Sequence, residues 1–468
     1  MTSMSLRRVS SVLGLVLVAA APSALGQAAA GARSGDIATA YRAPADSLIR
    51  TATADSSAYR RLGRLVDTFG SRLSGTASLE AAIDWILDAM KADGLENVRG
   101  EPVMVPRWVR GAESAELVKP RAAKLAMLGL GGSVGTPKAG ITAPVLVVSS
   151  LEEVAARAAE AKGKIVLFDT PFTDYVVTRR VRTEGPSAAA RVGAVACLIR
   201  SVASASIRSP HTGLTVYDST APKIPAAALS VEDAMMLHRF QDRGEPVVVT
   251  LKMSARTLPD APSRNVVAEI VGREKPDEVV VLGGHIDSWD VGQGAMDDGG
   301  GSVAAWEAVR LIHRLGLRPR RTVRVVLWTN EENGGRGNLA YRDRYAGDLG
   351  KHVLAIESDK GVFAPSGFGV SGSDSARAVA ERVGALLARI KAGTIERETN
   401  GPEADVEPLV DRGVPGMGLK VNASRYFWYH HSAGDTFDKI DAGDLARCVA
   451  ALAVMAYVVA DLPEPLPR

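Results

Sequence analysis

Residues 279–301 read Val279-Val280-Val281-Leu282-Gly283-Gly284-His285-Ile286-Asp287-Ser288-Trp289-Asp290-Val291-Gly292-Gln293-Gly294-Ala295-Met296-Asp297-Asp298-Gly299-Gly300-Gly301, and a helical pattern follows from Ser302 to Leu315. A short apolar run closed by glycines is what a strand buried on both faces requires, and an amphipathic helix behind it covers the sheet. The strand predicted at 279–282 therefore belongs to an α/β fold with helices on both sides of its sheet. The same arrangement recurs downstream. A strand at 323–328 runs into Glu331-Glu332-Asn333-Gly334-Gly335, and one at 353–356 into Glu357-Ser358-Asp359. A strand-like run from Gly416 to Val421 precedes Arg425-Tyr426-Phe427-Trp428-Tyr429-His430-His431 and then Ser432-Ala433-Gly434-Asp435-Thr436. Further helices are predicted near 375–390 and 441–459.

In an open α/β sheet the ligand crevice lies at the carboxyl ends of the strands, and each of these segments carries imidazoles or carboxylates there. A lone His-x-Asp or Glu-Glu pair is weak; the ordered conjunction points to a metal centre. The donors include no thiolate and suffice for two divalent ions in open sites. Two cations about 3.5–4 Å apart repel strongly unless an anionic ligand bridges them. Glycines after Asp297 let the backbone turn closely around such a centre, and the doubled Glu lets one carboxylate bind metal while its neighbour moves a proton. Spacing alone supports metal-assisted hydrolysis of an amide.

Upstream, the stretch from Asp55 to Asp93 has helical periodicity and is predicted as two helices, after an Ala/Gly-rich lead-in to about residue 36. From 111 to 259 short β-rich runs such as 145–148 and 164–168 alternate with Gly, Pro and Thr, which predicts a mostly β module with a helix or two. The expected organisation is a catalytic domain formed by 27–110 and 260–468, interrupted by an inserted domain at 111–259. At the N-terminus, Arg7-Arg8, the apolar run Val12 to Ala21 and the small-residue site before Gln27 read as a secretory signal peptide over 1–26, too short in its apolar part for the roughly 20 residues of a membrane span. Export to the periplasm or the medium is expected, with no stable membrane span after cleavage.

The chain of 468 residues is 46% apolar and 23% charged, which excludes bulk disorder and a small disulfide scaffold. Its net charge of +3 falls to +1 once Arg7 and Arg8 leave with the leader, so nothing favours nucleic acid as a partner. Only Cys197 and Cys448 are present, far apart and predicted buried.

The runs 284–301, Ile199-Arg200-Ser201-Val202-Ala203-Ser204, Ser209-Pro210-His211-Thr212-Gly213 and His430-His431-Ser432 resemble the co-catalytic zinc peptidases, a family of aminopeptidases and carboxypeptidases with a non-catalytic receptor branch. The resemblance covers almost all of the chain after the leader, and the insertion resembles a protease-associated domain. It implies a zinc-exopeptidase-like (phosphorylase/hydrolase-like) mixed sheet flanked by helices. It further implies two zinc ions: His285 and Asp359 on one, Glu332 and His431 on the other, Asp297 as the bridging carboxylate, Glu331 as general base and Asp287 orienting the His285 ring. A water made acidic by the ions would give its proton to Glu331 and attack a peptide carbonyl. The implied substrate is a dipeptide or short peptide with free termini, and the implied assembly a homodimer. An aminopeptidase on longer peptides and a zinc-free receptor-like protein are the alternatives.

His430 is left between a substrate contact, a role behind the ligands and plain packing. Arg200, Arg208 and His211 could fold over the centre from the insertion and hold a substrate carboxylate. His238, His313 and His352 read as packing or surface residues, and Asp298 as a cap or a support for the ligands. Gly131-Gly132-Ser133-Val134-Gly135 matches a nucleophile elbow in form, but Thr136-Pro137 follows where a helix must start, so it reads as a turn.

Overall fold

The computed structural model describes residues 37–399 and 403–468. The leader expected at 1–26 lies outside the described residues. Eight strands form one sheet in the order Glu96–Val109, Arg256–Ile270, Arg321–Trp328, Lys275–His285, His352–Glu357, Gly416–Val421, Pro365–Ser371, Thr394–Arg397. The strands from Arg321–Trp328 to Gly416–Val421 are parallel neighbours, and antiparallel pairs on either side make the sheet mixed.

Period-two alternation splits each central strand between two cores. Val280, Leu282, Val323, Val325, Leu354 and Ile356 face one core with the helices Ile37–Ala54, Ser57–Phe69, Ala77–Ala92, Gly300–Arg314 and Ala442–Asp461, while Val279, Val281, Val326 and Trp328 face Tyr341, Leu409 and Val414. Each fully buried Val or Leu contributes roughly 1.5–3 kcal/mol, and a charged residue buried in these strands is paired, as Arg324 is with Glu269. Ala442–Asp461 is long and apolar enough to cross a membrane, yet 78% of its apolar window is buried inside the fold, against Ile37–Ala54 and Gly300–Arg314. A helix apolar on all sides is what the centre of a large core demands.

Ile37–Ala54 departs from expectation, since periodicity alone starts the helices at Asp55. Pro44 inside it and the small contact residues Ala45 and Ala52 blur the stripe carried by Leu48 and Ile49; packing on the C-terminal helix supplies the burial.

The chain leaves this sheet along Glu96–Val109 and returns along Arg256–Ile270, which pair antiparallel from Glu96↔Glu269 to Val109↔Arg256. Between them lies a second eight-stranded sheet, in the order Ala123–Leu125, Glu113–Lys119, Val248–Met253, Ile141–Val148, Ile165–Phe168, Ala196–Arg200, Ala226–Leu229, Met127–Gly129. It too has parallel central strands buried on both faces: Val147, Leu167 and Leu198 on one, Val148, Phe168 and Cys197 on the other. Its helices, among them Leu151–Ala156, Gly185–Arg191 and Val231–Asp242, exceed the one or two expected because most of them span two turns or fewer, too short to show a helical period. Both cysteines are buried and unpaired.

Candidate metal centre

The parallel strands end together, and their carboxyl ends carry the ligand-type side chains. His285 closes its strand with Nε2 3.3 Å from both Asp297 Oδ1 and Asp359 Oδ1. His431 Nε2 lies 3.0 Å from Glu332 Oε2 and 3.3 Å from Asp297 Oδ2, and His430 Nε2 lies 3.6 Å from that same Oδ2. Two groups of donors close enough to hold an ion result, His285-Asp297-Asp359 and Asp297-His430-His431, and Asp297 is common to both.

The residues fit divalent ions on grounds of hydrogen bonding. Asp297 Oδ2, Glu332 Oε1 and Asp359 Oδ1 are buried and accept no hydrogen bond among the described residues, although the imidazoles of His285 and His431 lie beside them. Buried carboxylate oxygens left this way are costly unless a cation faces them. The imidazoles register the same field. Burial alone would lower the pKa of His285 and His431, yet Asp359 beside the first and Glu332 beside the second, with Asp297 between, hold both well above the usual histidine range.

Backbone groups aim the ligands. His285 Nδ1 meets the carbonyl of Asp287 at 3.0 Å, so this nitrogen carries the proton and the Nε2 lone pair points into the centre. Asp287, expected to orient this ring, meets it through its main-chain carbonyl, while its carboxylate stands 3.9 Å away. Its Oδ1 instead accepts the N–H of Glu331 at 3.1 Å and its Oδ2 the hydroxyl of Ser74, because the Glu331 loop starts alongside. Asp298 accepts the N–H of His285 at 3.1 Å and that of Gly301 at 3.0 Å, joining the strand end to the first turn of Gly300–Arg314. A Cβ on Gly301 would fall 1.8 Å from Ser358 O and one on Gly284 2.1 Å from Asp298 Oδ2; the glycines are there to let these segments touch.

Glu331 differs from the ligands in exposure. Its side chain is 23% exposed, beside Asp359 at 16% and against 1% for His285 and 2% for Glu332, so these two acids stand on the open side of the cluster while His285 and Glu332 are sealed in. Desolvation, with Asp359 and Glu332 nearby, pushes its carboxyl well above the usual range.

Of the groups expected from the second sheet's segment, His211 reaches the centre and two do not. His211 Nδ1 hydrogen-bonds the carbonyl of His430 at 2.6 Å, and burial pushes its pKa down to about 4. Arg200 instead pairs with Asp169 at 3.3 Å, since the two follow the register pair Phe168↔Ile199 at the ends of neighbouring strands. Arg208 is exposed, 3.4 Å from Asp233, with its N–H on Glu232, at the start of Val231–Asp242. Their nearest carboxylates are local. His430 stacks on His431 with centroids 3.5 Å apart and meets Tyr175 edge-on at 5.0 Å.

Sequence reasoning missed three residues here. Asp435 accepts the N–H groups of Ala295, Met296 and Asp297 and so shapes the turn that carries the shared carboxylate; its place four residues after His431 was the available signal. Arg72, fully buried, donates to the carbonyls of Gly70, Ile286, Gln293 and Gly294, and Arg182 comes within 3.4 Å of His431 Nδ1. Neither has a sequence pattern that marks it.

Residues 265–456 match peptidase family M28. The chain is 50% identical to carboxypeptidase Q of Mus musculus over 88% of this chain and 87% of that one, and 48% identical to carboxypeptidase Q of Xenopus laevis over 92% of each. Among solved structures, the peptidase M28 precursor from Shewanella amazonensis SB2B superposes with a TM-score of 0.89 at 33% identity, covering 92% of this chain and 98% of that one. A zinc aminopeptidase from Bacillus subtilis shares the fold, with a TM-score of 0.66 at 20% identity over 88% of this chain and 98% of that one. The mixed sheet, the donor cluster at its strand ends and half-identity to carboxypeptidase Q along nearly nine-tenths of its length agree: the chain belongs to peptidase family M28 and is an enzyme, a zinc metallopeptidase.

Proposed function

We propose that this metallopeptidase is an exported exopeptidase that holds two zinc ions and hydrolyses dipeptides or short peptides with free termini. The observation that carries the two-ion reading is Asp297, whose two oxygens face different histidines, one toward His285 and one toward His431. Likeness to carboxypeptidase Q supports short substrates with a free carboxyl end, and the sequence from Arg7 to Gln27 supports export. The reading includes a homodimer, which sedimentation of the zinc-loaded protein tests.

His285, Asp297 and Asp359 would hold one ion and Glu332, Asp297 and His431 the other. Zinc, when bound, supplies Lewis acidity that polarises the scissile carbonyl and acidifies the attacking water. Glu331, facing the cleft with its main chain held by Asp287, takes the water's proton on its carboxylate. The water oxygen bonds to the carbonyl carbon, the C–N bond breaks, and Glu331 passes the proton to the leaving nitrogen. Burial and the neighbouring carboxylates raise the Glu331 carboxyl above the ordinary glutamate range, which makes it a stronger base than an exposed glutamate.

The test is cleavage of a mixed dipeptide pool by the zinc-loaded protein and by Glu331→Gln. The variant keeps both ions and loses about 10²–10⁴ in kcat/KM, the usual contribution of a general base. Parent protein that binds two ions and leaves dipeptides intact overturns the substrate assignment. Cleavage blocked by N-terminal acylation but unaffected by C-terminal amidation would make it an aminopeptidase.

A further inference from the structure

His431 sits at φ +61°, in the left-handed region that residues with side chains rarely adopt, so its surroundings must hold it there. Much of what holds it comes from the second sheet's segment. The N–H of Thr212 donates to His431 O at 2.9 Å, and His211 both bonds the carbonyl of His430 and pairs with Ser432 as an antiparallel bridge. At the ring, Nδ1 lies 3.4 Å from the carbonyl of Thr212 and 3.4 Å from Arg182 Nη1, which also lies 3.4 Å from that carbonyl. A carbonyl only accepts, so the Nδ1 that meets Thr212 O carries the proton, Arg182 Nη1 donates to that same oxygen and not to Nδ1, and Nε2 keeps its lone pair toward Asp297 and Glu332. Arg182 itself is 4% exposed. The ring lies between His430 and Trp289, whose centroid is 5.6 Å away, and Trp289 rests so tightly on the second segment that a Cβ on Gly131 would fall 1.9 Å from its ring.

We propose that the second sheet's segment completes the metal centre: Thr212, Arg182 and Gly131 are positioning residues that hold His431 in its ligating pose, so the ion it shares with Glu332 and Asp297 is retained only while the two sheets are docked. The inference rests on the reading of His431 as a ligand. It goes further in making one ion, not both, depend on contacts remote in sequence.

The test counts zinc in the full-length protein and then follows its release to a chromogenic chelator, with circular dichroism to establish that each variant is folded. His431→Ala should bind one ion where the parent binds two. Arg182→Gln and Gly131→Ala should bind two but release one of them about tenfold to a hundredfold faster, the range for groups that orient metal ligands, with the other at the parent rate. Arg182→Lys, which keeps a donor and the charge, should return most of the retention. If Arg182→Gln and Gly131→Ala are folded and release both ions at parent rates while His431→Ala loses one, the clamp is wrong and the ligand reading stands. If His431→Ala keeps both ions at parent rates, the ligand reading fails and takes the clamp with it. Should Gly131→Ala not fold, Arg182→Gln decides the question by the same criteria.

Discussion

The two sheets of this protein are built alike and end differently. Each has eight strands, a parallel centre and two apolar faces split by period-two alternation. In the first sheet, the strand ends carry carboxylates with buried oxygens that accept no hydrogen bond among the described residues. In the second, Asp169 at a strand end accepts from Arg200 and lies 2.7 Å from His238 Nδ1, so its charge is answered locally. Architecture alone therefore does not make a centre. What distinguishes the sheets is whether the charges at their strand ends are balanced by the chain itself.

The sharpest way to break the comparison is to remove the shared carboxylate. Asp297→Ala should cost both ions and bring hydrolysis to background, whereas Asp169→Asn should leave the zinc count unchanged. Metal analysis on the two variants decides it, and loss of zinc from Asp169→Asn would erase the distinction.

Next in size is backbone approach. Gly301→Ala puts a Cβ 1.8 Å from Ser358 O, in a helix turn that cannot retreat, and should cost about 3 kcal/mol. Gly163→Ala, at φ +75° with nothing within 4 Å, should cost only about 1–2 kcal/mol, the penalty of the left-handed backbone. Urea unfolding of the pair reads the difference; equal losses would mean that the close packing at the first sheet's strand ends matters no more than a strained turn.

A pH effect separates the core behind the first sheet from the centre in front of it. Burial pushes His352 down to about 4, and its ring is held by the Tyr341 hydroxyl and the carbonyl of Asp348 at 3.1 Å each. Between the ordinary histidine value near 6.5 and about 4, the unfolded chain binds a proton that the folded chain refuses. Stability should therefore be complete above pH 6.5, fall on acidification towards pH 4 and then level off with respect to this group, losing on the order of 3 kcal/mol. His352→Gln should flatten that slope; an unchanged slope would place it elsewhere. The smallest effect expected is on Asp169→Asn, about 1 kcal/mol of stability from weakened charge-assisted hydrogen bonds, read by thermal unfolding.

Most of the first sheet was legible because its signals are local. Val279 to Leu282 must be a strand buried on both faces, and His285, Asp297, Glu331, Glu332, Asp359 and His431 stand where such strands end. The helix Ile37–Ala54 was illegible because its burial depends on a partner more than 400 residues away in the chain, as the bond from the Tyr41 hydroxyl to the carbonyl of Asp461 illustrates. The partners of Arg200 and Arg208 were hidden for a related reason. Their residue type suits a substrate carboxylate, but residue type does not reveal which carboxylate of the chain lies beside them, here Asp169 and Asp233.

By itself the sequence determined which segments become buried strands and which side chains stand at their ends, since periodicity and residue chemistry act over a few neighbours. Only the tertiary structure decided that His285 is oriented by a carbonyl, that Asp435 shapes the turn of Asp297, and that Arg182 and Thr212 close around His431 from more than 200 residues away. Hydrogen bonds and close packing depend on distances of a few ångströms in space, and nothing in a linear order of residues sets those distances until the sheets have formed and docked.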